Sequence, residues 1–237
     1  MTFQKNKSLI LLSGGLDSVV SLACSKIEYN IVFALTFDYG QRAKNQEITA
    51  SSEIAKHFNI EHKIINLPWL AEITHTALVN TDKELPAPDI TELDIANITK
   101  KSAKNVWIPN RNGLFINIAA CFVESMGFNH IIFGANKEEA ATFPDNSEEF
   151  LTKINKSLEY STLTKPKVIS PLMNLNKKEI VKIGIEKNIP FDLIRSCYTN
   201  EKNHCGKCES CLRLKRALYK NNNIEIIKLI FEENIYT

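Results

Sequence analysis

A doubly wound α/β fold on a mostly parallel sheet, followed by a small helical C-terminal subdomain, is what this sequence predicts. Three observations predict it. Short apolar runs alternate with helical patterns along much of the chain. One run leads straight into Ser13-Gly14-Gly15-Leu16-Asp17-Ser18, a glycine turn that opens onto a helix. Four cysteines gather near the C-terminus, Cys197, Cys205, Cys208 and Cys211.

The elements follow in order. Residues 9–12 form the first strand and 19–27 the first helix. Residues 31–37, Ile-Val-Phe-Ala-Leu-Thr-Phe, are almost continuously apolar, as a central parallel strand buried on both faces must be. Residues 44–58 read as an amphipathic helix and 62–67 as a third strand. Between residues 71 and 107 the pattern weakens, with Pro86, Pro88 and several Thr and Asp residues interrupting it. Such a stretch is either a lid or binding loop, or a plain surface loop. Asn110 is placed to cap a helix running to Met126 that is apolar nearly all round and therefore expected to be buried. Residues 131–133 and 168–172 are the remaining strands, and 224–233 a small amphipathic helix. The organisation expected is an α/β domain over residues 1–195 and a helical metal-binding subdomain over 196–237. Right-handed crossovers put helices on both faces of such a sheet, and ligands collect at the carboxyl ends of its strands. The 13–18 turn lies at one such end, and Asp38-Tyr39-Gly40-Gln41 at another.

Composition narrows the function classes. In 237 residues, 29 Lys and Arg against 27 Asp and Glu leave a net charge of +2, so bulk charge does not indicate nucleic-acid binding. No apolar run is long enough to span a bilayer, so no membrane partner is expected. Lysines precede the first apolar run, but Gly14, Gly15 and Asp17 interrupt it, which argues against a signal peptide and for a cytoplasmic protein. Of six cysteines, Cys24 and Cys121 stand alone in helical apolar patterns, where thiols are expected to be buried and inert. The oligomeric state is left open between monomer and homodimer.

The 13–18 turn has the makings of an anion cradle. Two glycines let backbone N–H groups turn toward a phosphate, and the helix dipole adds positive potential. Ser13 and Ser18 offer hydroxyls to the same oxygens. The lysine of a Walker loop is absent. Asp17 would repel phosphates unless a cation lay between, so it is expected to hold magnesium, directly or through water, or else to cap the helix.

The cysteine spacing is C-x7-C-x2-C-x2-C, and four thiolates suit a closed tetrahedral structural zinc site. Gly206 allows the tight turn, and Cys208 and Cys211 share a face at a helix start. Lys202, Lys207, Arg213, Lys215 and Arg216 are placed to offset the cluster's negative charge. His204 as the fourth ligand and an iron–sulfur cluster are the alternatives.

The turn behind a first strand resembles the pyrophosphate loop of the N-type ATP pyrophosphatases, which cleave ATP between its α and β phosphates. Together with Asp38-Tyr39-Gly40-Gln41-Arg42, Pro109-Asn110-Arg111-Asn112, Gly134-Ala135-Asn136, Phe143-Pro144-Asp145, Ser196-Cys197-Tyr198 and Cys205-Gly206-Lys207-Cys208-Glu209-Ser210-Cys211, the chain resembles the 7-cyano-7-deazaguanine synthase family over nearly its whole length. The resemblance implies an adenine nucleotide alpha-hydrolase-like, Rossmann-like domain. It implies conversion of 7-carboxy-7-deazaguanine and ammonia to the nitrile, with two ATP consumed as AMP and pyrophosphate, for queuosine or archaeosine biosynthesis. It implies ATP, with magnesium, on Leu12, Ser13, Gly14, Gly15, Leu16, Asp17 and Ser18, and a structural zinc on the four clustered cysteines. The partners implied are these small molecules, with no direct nucleic-acid contact.

Asp17, Ser18 and Arg111 are the expected catalytic residues, Arg111 touching a phosphate or carboxylate unless it is a surface ion-pair residue. Gln41 and Arg42 either shape the nucleotide site or serve the loop alone. Lys137 and Asp145 are expected to bind the substrate, Asp145 accepting from a guanine-like N1 and amino group, with a turn role as its alternative. The chain departs from the family in Ala141-Thr142-Phe143-Pro144-Asp145-Asn146, where many relatives carry Tyr-Pro-Asp-Cys. A catalytic thiol is therefore not expected there, and another heterocyclic acid stays open as substrate. The rival readings are tRNA thiolation or lysidine formation, and a zinc-dependent nucleic-acid module using Lys215, Arg216 and Lys220.

Overall fold

The structure, a computed structural model, describes residues 6–231. Five strands lie in one parallel sheet in the order β3-β2-β1-β4-β5. They are β1 (Lys7–Leu11), β2 (Asn30–Asp38), β3 (Glu61–Asn66), β4 (His130–Ile132) and β5 (Lys167–Ile169). The last is shorter than the run 168–172 suggests, because the chain turns after Ile169.

Strand alternation divides the core into two layers. Ile10 and Leu12 face one cluster with Ala34 and Ile132; Leu9 and Leu11 face the other with Phe33, Leu35 and Ile131. Helix α1 (Leu16–Ser25) covers the first face through Val19, Val20 and Leu22. Helix α2 (Lys44–His57) adds Ile54 and Ala55. After α3 (Pro68–Glu72) and α4 (Ala96–Val106), α5 (Arg111–Ser125) covers the second face with Ile116, Ala119, Ala120 and Val123. The short α6 (Lys137–Ala140) and then α7 (Glu148–Ser161) follow β4, and α8 (Lys177–Glu186) returns to the first face. Helices α9 (Glu209–Tyr219) and α10 (Ile224–Phe231) close the described chain.

Several expectations are corrected. The irregular stretch contains α4, whose buried stripe is Thr99, Ser102, Ala103 and Val106. The buried stripe is mostly small and hydroxyl-bearing, and the prolines and polar residues around the helix break up the stretch. That stretch is anchored: Arg42 donates to the Asn80 and Lys83 carbonyls, and Glu209 N–H donates to the Pro86 carbonyl at 3.1 Å. Helix α5 is buried on one side only, with Asn117 and Cys121 facing out. Asn110 occupies its N-cap position but makes no side-chain cap bond. Its backbone is left-handed, at φ 49°, and its Oδ1 lies over Gly113, where any Cβ would come within 2.3 Å. The terminal helix begins at Ile224 as expected, and residues 232 and 233 lie outside the described residues.

Cys197, Cys208, Cys211, Leu214, Leu218, Ile227 and Phe231 belong to the same apolar cluster as Val19, Val20, Ile180 and Val181. The C-terminal segment thus shares a core with α1 and α8. No helix among the described residues is long and apolar enough to cross a membrane.

Helix α8 begins with a reciprocal capping box, Asn176 Oδ1 accepting from Glu179 N–H at 3.1 Å and Glu179 Oε2 from Asn176 N–H at 2.8 Å. Asn176→Ala is expected to lower stability by about 1 kcal/mol, read as a fall in the urea midpoint with the slope unchanged.

Candidate active site and candidate metal centre

The turn after β1 takes its shape from two glycines. Gly14 has φ +77°, and a Cβ there would meet Ala50 Cβ at 2.8 Å and Ser51 N at 3.0 Å. Gly15 is the N-cap of α1, and no side chain caps that helix. The Asp17 cap reading is therefore corrected: Asp17 is the second residue of α1, and its carboxylate turns away to a lysine. The serines order the turn. Gly15 N–H and the Ser13 hydroxyl define one corner at 3.3 Å, Ser13 Oγ donates to Ser18 Oγ at 3.3 Å, and Ser18 Oγ donates to the Gly15 carbonyl at 2.9 Å. From below, Arg195 N–H donates to the Gly14 carbonyl at 2.8 Å. Gly134, just after β4, lets the start of α1 approach; a Cβ there would lie 3.1 Å from Ser18 N.

A cleft of about 280 Å³ opens over this turn at the carboxyl ends of the strands. Leu12, Ser13, Gly15, Leu16, Asp17 and Ser18 line it; Gly14 sits behind, against α2. Arg111, Asp145, Glu138, Glu139, Lys177, Tyr39, Tyr198, Trp107 and Phe143 line it from other segments.

Its charges are arranged around Lys177. The buried Nζ lies 2.7 Å from Asp17 Oδ2 and 3.2 Å from Glu139 Oε1. Burial pushes the Asp17 carboxyl up to about 6 against the pull of Lys177, and leaves Asp17 Oδ1 buried without a partner. Burial opposes the charge of Lys177, but Asp17 and Glu139 outweigh it and hold the ammonium above its ordinary range. Next to this group, Glu138 accepts from Arg213 at 2.6 Å and Arg216 at 3.2 Å, and Arg213 also bonds Glu209 at 2.7 Å. Arg216 reaches Asp94 at 2.8 Å. These arginines, expected to offset the cysteine cluster, are committed to carboxylates instead.

Arg111 is at the mouth of α5 and half-buried, donating from Nε to Asn112 Oδ1 at 3.2 Å and from Nη1 to Tyr39 Oη at 3.5 Å. Burial works against its charge; Tyr39, Asp145 and Glu139 outweigh that and raise its pKa. Asp145 lies in the 3-10 turn Pro144–Asn146 and is 8% exposed, so turn and cleft positions coincide. Its carbonyl accepts from Asn112 Nδ2 at 3.3 Å. Burial raises its carboxyl pKa, with Arg111 opposing.

Lys137 is exposed at the first position of α6 and does not line the cleft. Asn136 caps that helix, accepting from Glu139 N–H at 3.0 Å, and it is Glu138 and Glu139 that enter the cleft. Lys177, Glu138 and Glu139 escaped the sequence reading, which named Tyr198 only within a motif and Arg213 only as an offset to the cysteines. The Asn176-x-x-Glu179 capping signature marks the start of Lys177's helix, but nothing local announces a partner 160 residues away. Gln41 and Arg42 do not line the cleft. Gln41 accepts from Tyr39 N–H and donates to the Phe37 carbonyl and Glu47, which locks the end of β2. Cys121 is exposed and Cys24 half-buried, which corrects the expectation of burial, and neither lines the cleft.

Across the shared core, the Sγ atoms of Cys197, Cys205, Cys208 and Cys211 all lie within 4.8 Å of one another, a group able to hold a metal ion. Gly206 makes the turn at φ +67°. Backbone N–H groups of Thr199 and Cys205 donate to Cys197 Sγ, and those of Lys207 and Cys208 to Cys205 Sγ. Such donors favour thiolates, and they help bring the Cys205 thiol down to about 6. His204 is not in the group: its Nε2 accepts from Ser196 N–H at 3.1 Å, and its ring packs edge-on to Phe231.

Residues 7–222 match the family described as queuosine biosynthesis protein QueC. A protein of Desulforamulus reducens named 7-cyano-7-deazaguanine synthase is 50% identical over 212 residues, covering 90% of this chain and 93% of its own. Proteins of the same name from Pelotomaculum thermopropionicum and Bdellovibrio bacteriovorus are 53% and 46% identical, covering 89% and 97% of this chain and 96% and 100% of their own.

Asp17 yields a pH prediction. Its folded pKa lies above the ordinary 3.8, so its contribution to stability is full below 3.8 and is lost as pH rises through 6. Stability relative to Asp17→Asn should therefore fall by roughly 2–3 kcal/mol between the two ends of that window, as measured by urea unfolding at a series of pH values without nucleotide.

Proposed function

The chain belongs to the QueC family of queuosine biosynthesis proteins, and from that premise we propose that it converts 7-carboxy-7-deazaguanine and ammonia to 7-cyano-7-deazaguanine, consuming two ATP as AMP and pyrophosphate. One observation carries the reading. The anion cradle at Ser13–Ser18, the buried Asp145 and the half-buried Arg111 line the same cleft, so a nucleotide and a second, carboxylate-bearing substrate are brought together.

The chemistry needs that proximity. A carboxylate oxygen is a poor leaving group. Its attack on the α-phosphorus of ATP forms an acyl–AMP bond and expels pyrophosphate. Ammonia then attacks the acyl carbon, AMP departs with the C–O electron pair, and an amide with a released proton remains. In a second round the amide oxygen attacks another ATP. Loss of AMP from carbon and of the nitrogen's protons leaves the nitrile. Holding the reactants in line and stabilising charge at phosphorus are the enzyme's main tasks.

The cradle's backbone N–H groups and the α1 N-terminus hold the departing pyrophosphate. Lys177 and Arg111 are fixed cations beside it and offset charge on the equatorial oxygens. Asp145 meets the hydrogen-bond donors of the heterocycle. Magnesium would be held by Asp17, whose unpartnered Oδ1 is suited to a cation, and would supply charge neutralisation of the phosphates. Zinc on the four cysteines is structural: the thiolates are largely buried in the apolar core, apart from the cleft's lining.

Incubation with 7-carboxy-7-deazaguanine, ammonium and Mg-ATP should yield the nitrile by mass spectrometry, with two AMP per product. ADP in place of AMP, or AMP only with another acid, would refute the assignment. Asp17→Ala should abolish AMP formation, and wild-type turnover in that variant would remove Asp17 from the chemistry.

The purified protein should be colourless with one zinc per chain by mass spectrometry of metals. Cys211→Ser should lose the metal and unfold at markedly lower temperature; a brown protein absorbing in the visible would point to iron and sulfur.

A further inference from the structure

The cleft's lining mixes two kinds of group. Asp17, Glu139 and Lys177 meet beside the 13–18 turn. Other lining residues are aromatic. Trp107, the C-cap residue of α4, and Phe143, just before the 3-10 turn, both line the cleft and are half-buried. Their rings are nearly parallel, 10° apart, with centroids 6.2 Å from each other. They come from separate segments, so tertiary packing brings them into register. Phe143 also lies close in sequence to a fixed polar group. Asp145 follows Phe143 by two residues and is buried, with its backbone held by Asn112.

We propose that Trp107 and Phe143 form the stacking platform for the heterocycle of the second substrate, with Asp145 at its edge, so that these two rings set selectivity for a flat fused base. The proposal rests on the reaction assigned above and adds the subsite to it. Parallel aromatic faces accept any planar π-system, and stacking tolerates ring identity. The neighbouring carboxylate supplies the discrimination, since it accepts from a ring N–H and an amino group side by side. A phosphate finds no comparable partner among these rings. In this placement the heterocycle lies on the two rings, with its carboxylate directed to the cradle and Arg111.

The chain has two tryptophans, so Trp69→Phe leaves Trp107 as the reporter. Titrating that protein with 7-carboxy-7-deazaguanine, without ATP, should give saturable quenching; an unchanged signal overturns the platform. Trp107→Leu and Phe143→Leu should each raise KM for the acid by roughly 10- to 100-fold, with kcat and KM for ATP little changed, and Trp107→Phe should restore most of the loss. An unchanged KM for the acid, or a rise confined to ATP, overturns the proposal, the latter because it would put adenine on the rings. The titration needs only the folded Trp69→Phe protein, so it decides even if a leucine variant fails to fold. Quenching without nitrile formation would leave the platform standing and refute the assigned reaction; nitrile formation with unchanged KM values would do the reverse.

Discussion

A buried ammonium between two carboxylates is the interaction on which this molecule's site depends. Lys177 joins the first turn of α1, through Asp17, to α6, through Glu139. Burying an ion is costly unless partners compensate it, and breaking one arm of such a group leaves the others uncompensated. The arrangement therefore holds only when β1, β4 and α8 have assembled in their final order. Charge is concentrated there because the strands' carboxyl ends converge, and because Gly134 lets α1 come close enough for Asp17 to reach α8's first residue.

That group is continuous with a second one. Glu138 stands beside Glu139 and binds Arg213 and Arg216, which in turn hold the Leu93 carbonyl and Asp94. The weakly patterned segment before α5 is thereby tied to the helix that carries Cys211, the last cysteine of the cluster. Arg195 makes a parallel tie: its guanidinium donates to the Thr199 and Lys202 carbonyls of the cysteine-bearing loop, while its backbone N–H supports Gly14. The cysteine-bearing segment and the Ser13–Ser18 turn are two ends of one hydrogen-bonded structure. A structural ion at the cysteines would thus order the acceptors behind the cradle as well as its own ligands.

Elements with strong local signals were legible before any fold was known. The apolar period of β2, the glycine turn and the cysteine spacing all encode local physics, whereas the caps read at Asp17 and Asn110 make no side-chain cap bond. Helices α4 and α7 were missed, although α7 packs Phe150, Leu151, Ile154 and Leu158 on the core at helical spacing; in α4 the buried residues are mostly small and polar. The site divides the same way. Asp17, Arg111 and Asp145 sit in recognisable motifs and line the cleft. Lys177 was missed and Lys137 chosen because local sequence cannot say which lysine of a helix start faces inward. In α6 the Asn136 cap sends the next two glutamates inward and leaves Lys137 outside, whereas the capping box of α8 presents its first residue to the cleft.

In the proposed reaction, one cleft of about 280 Å³ would serve two rounds of adenylation. Nucleotide would then be exchanged between rounds while the half-converted heterocycle stays. That would require separate holds on the two substrates, one electrostatic and one apolar. The electrostatic hold would weaken when pyrophosphate and AMP separate, since each fragment keeps only part of the nucleotide's charge. A stacking hold is indifferent to that change, because the ring is the same in acid, amide and nitrile. Rings carried on segments other than the Ser13–Ser18 turn, as Trp107 and Phe143 are, would let one substrate leave without the other.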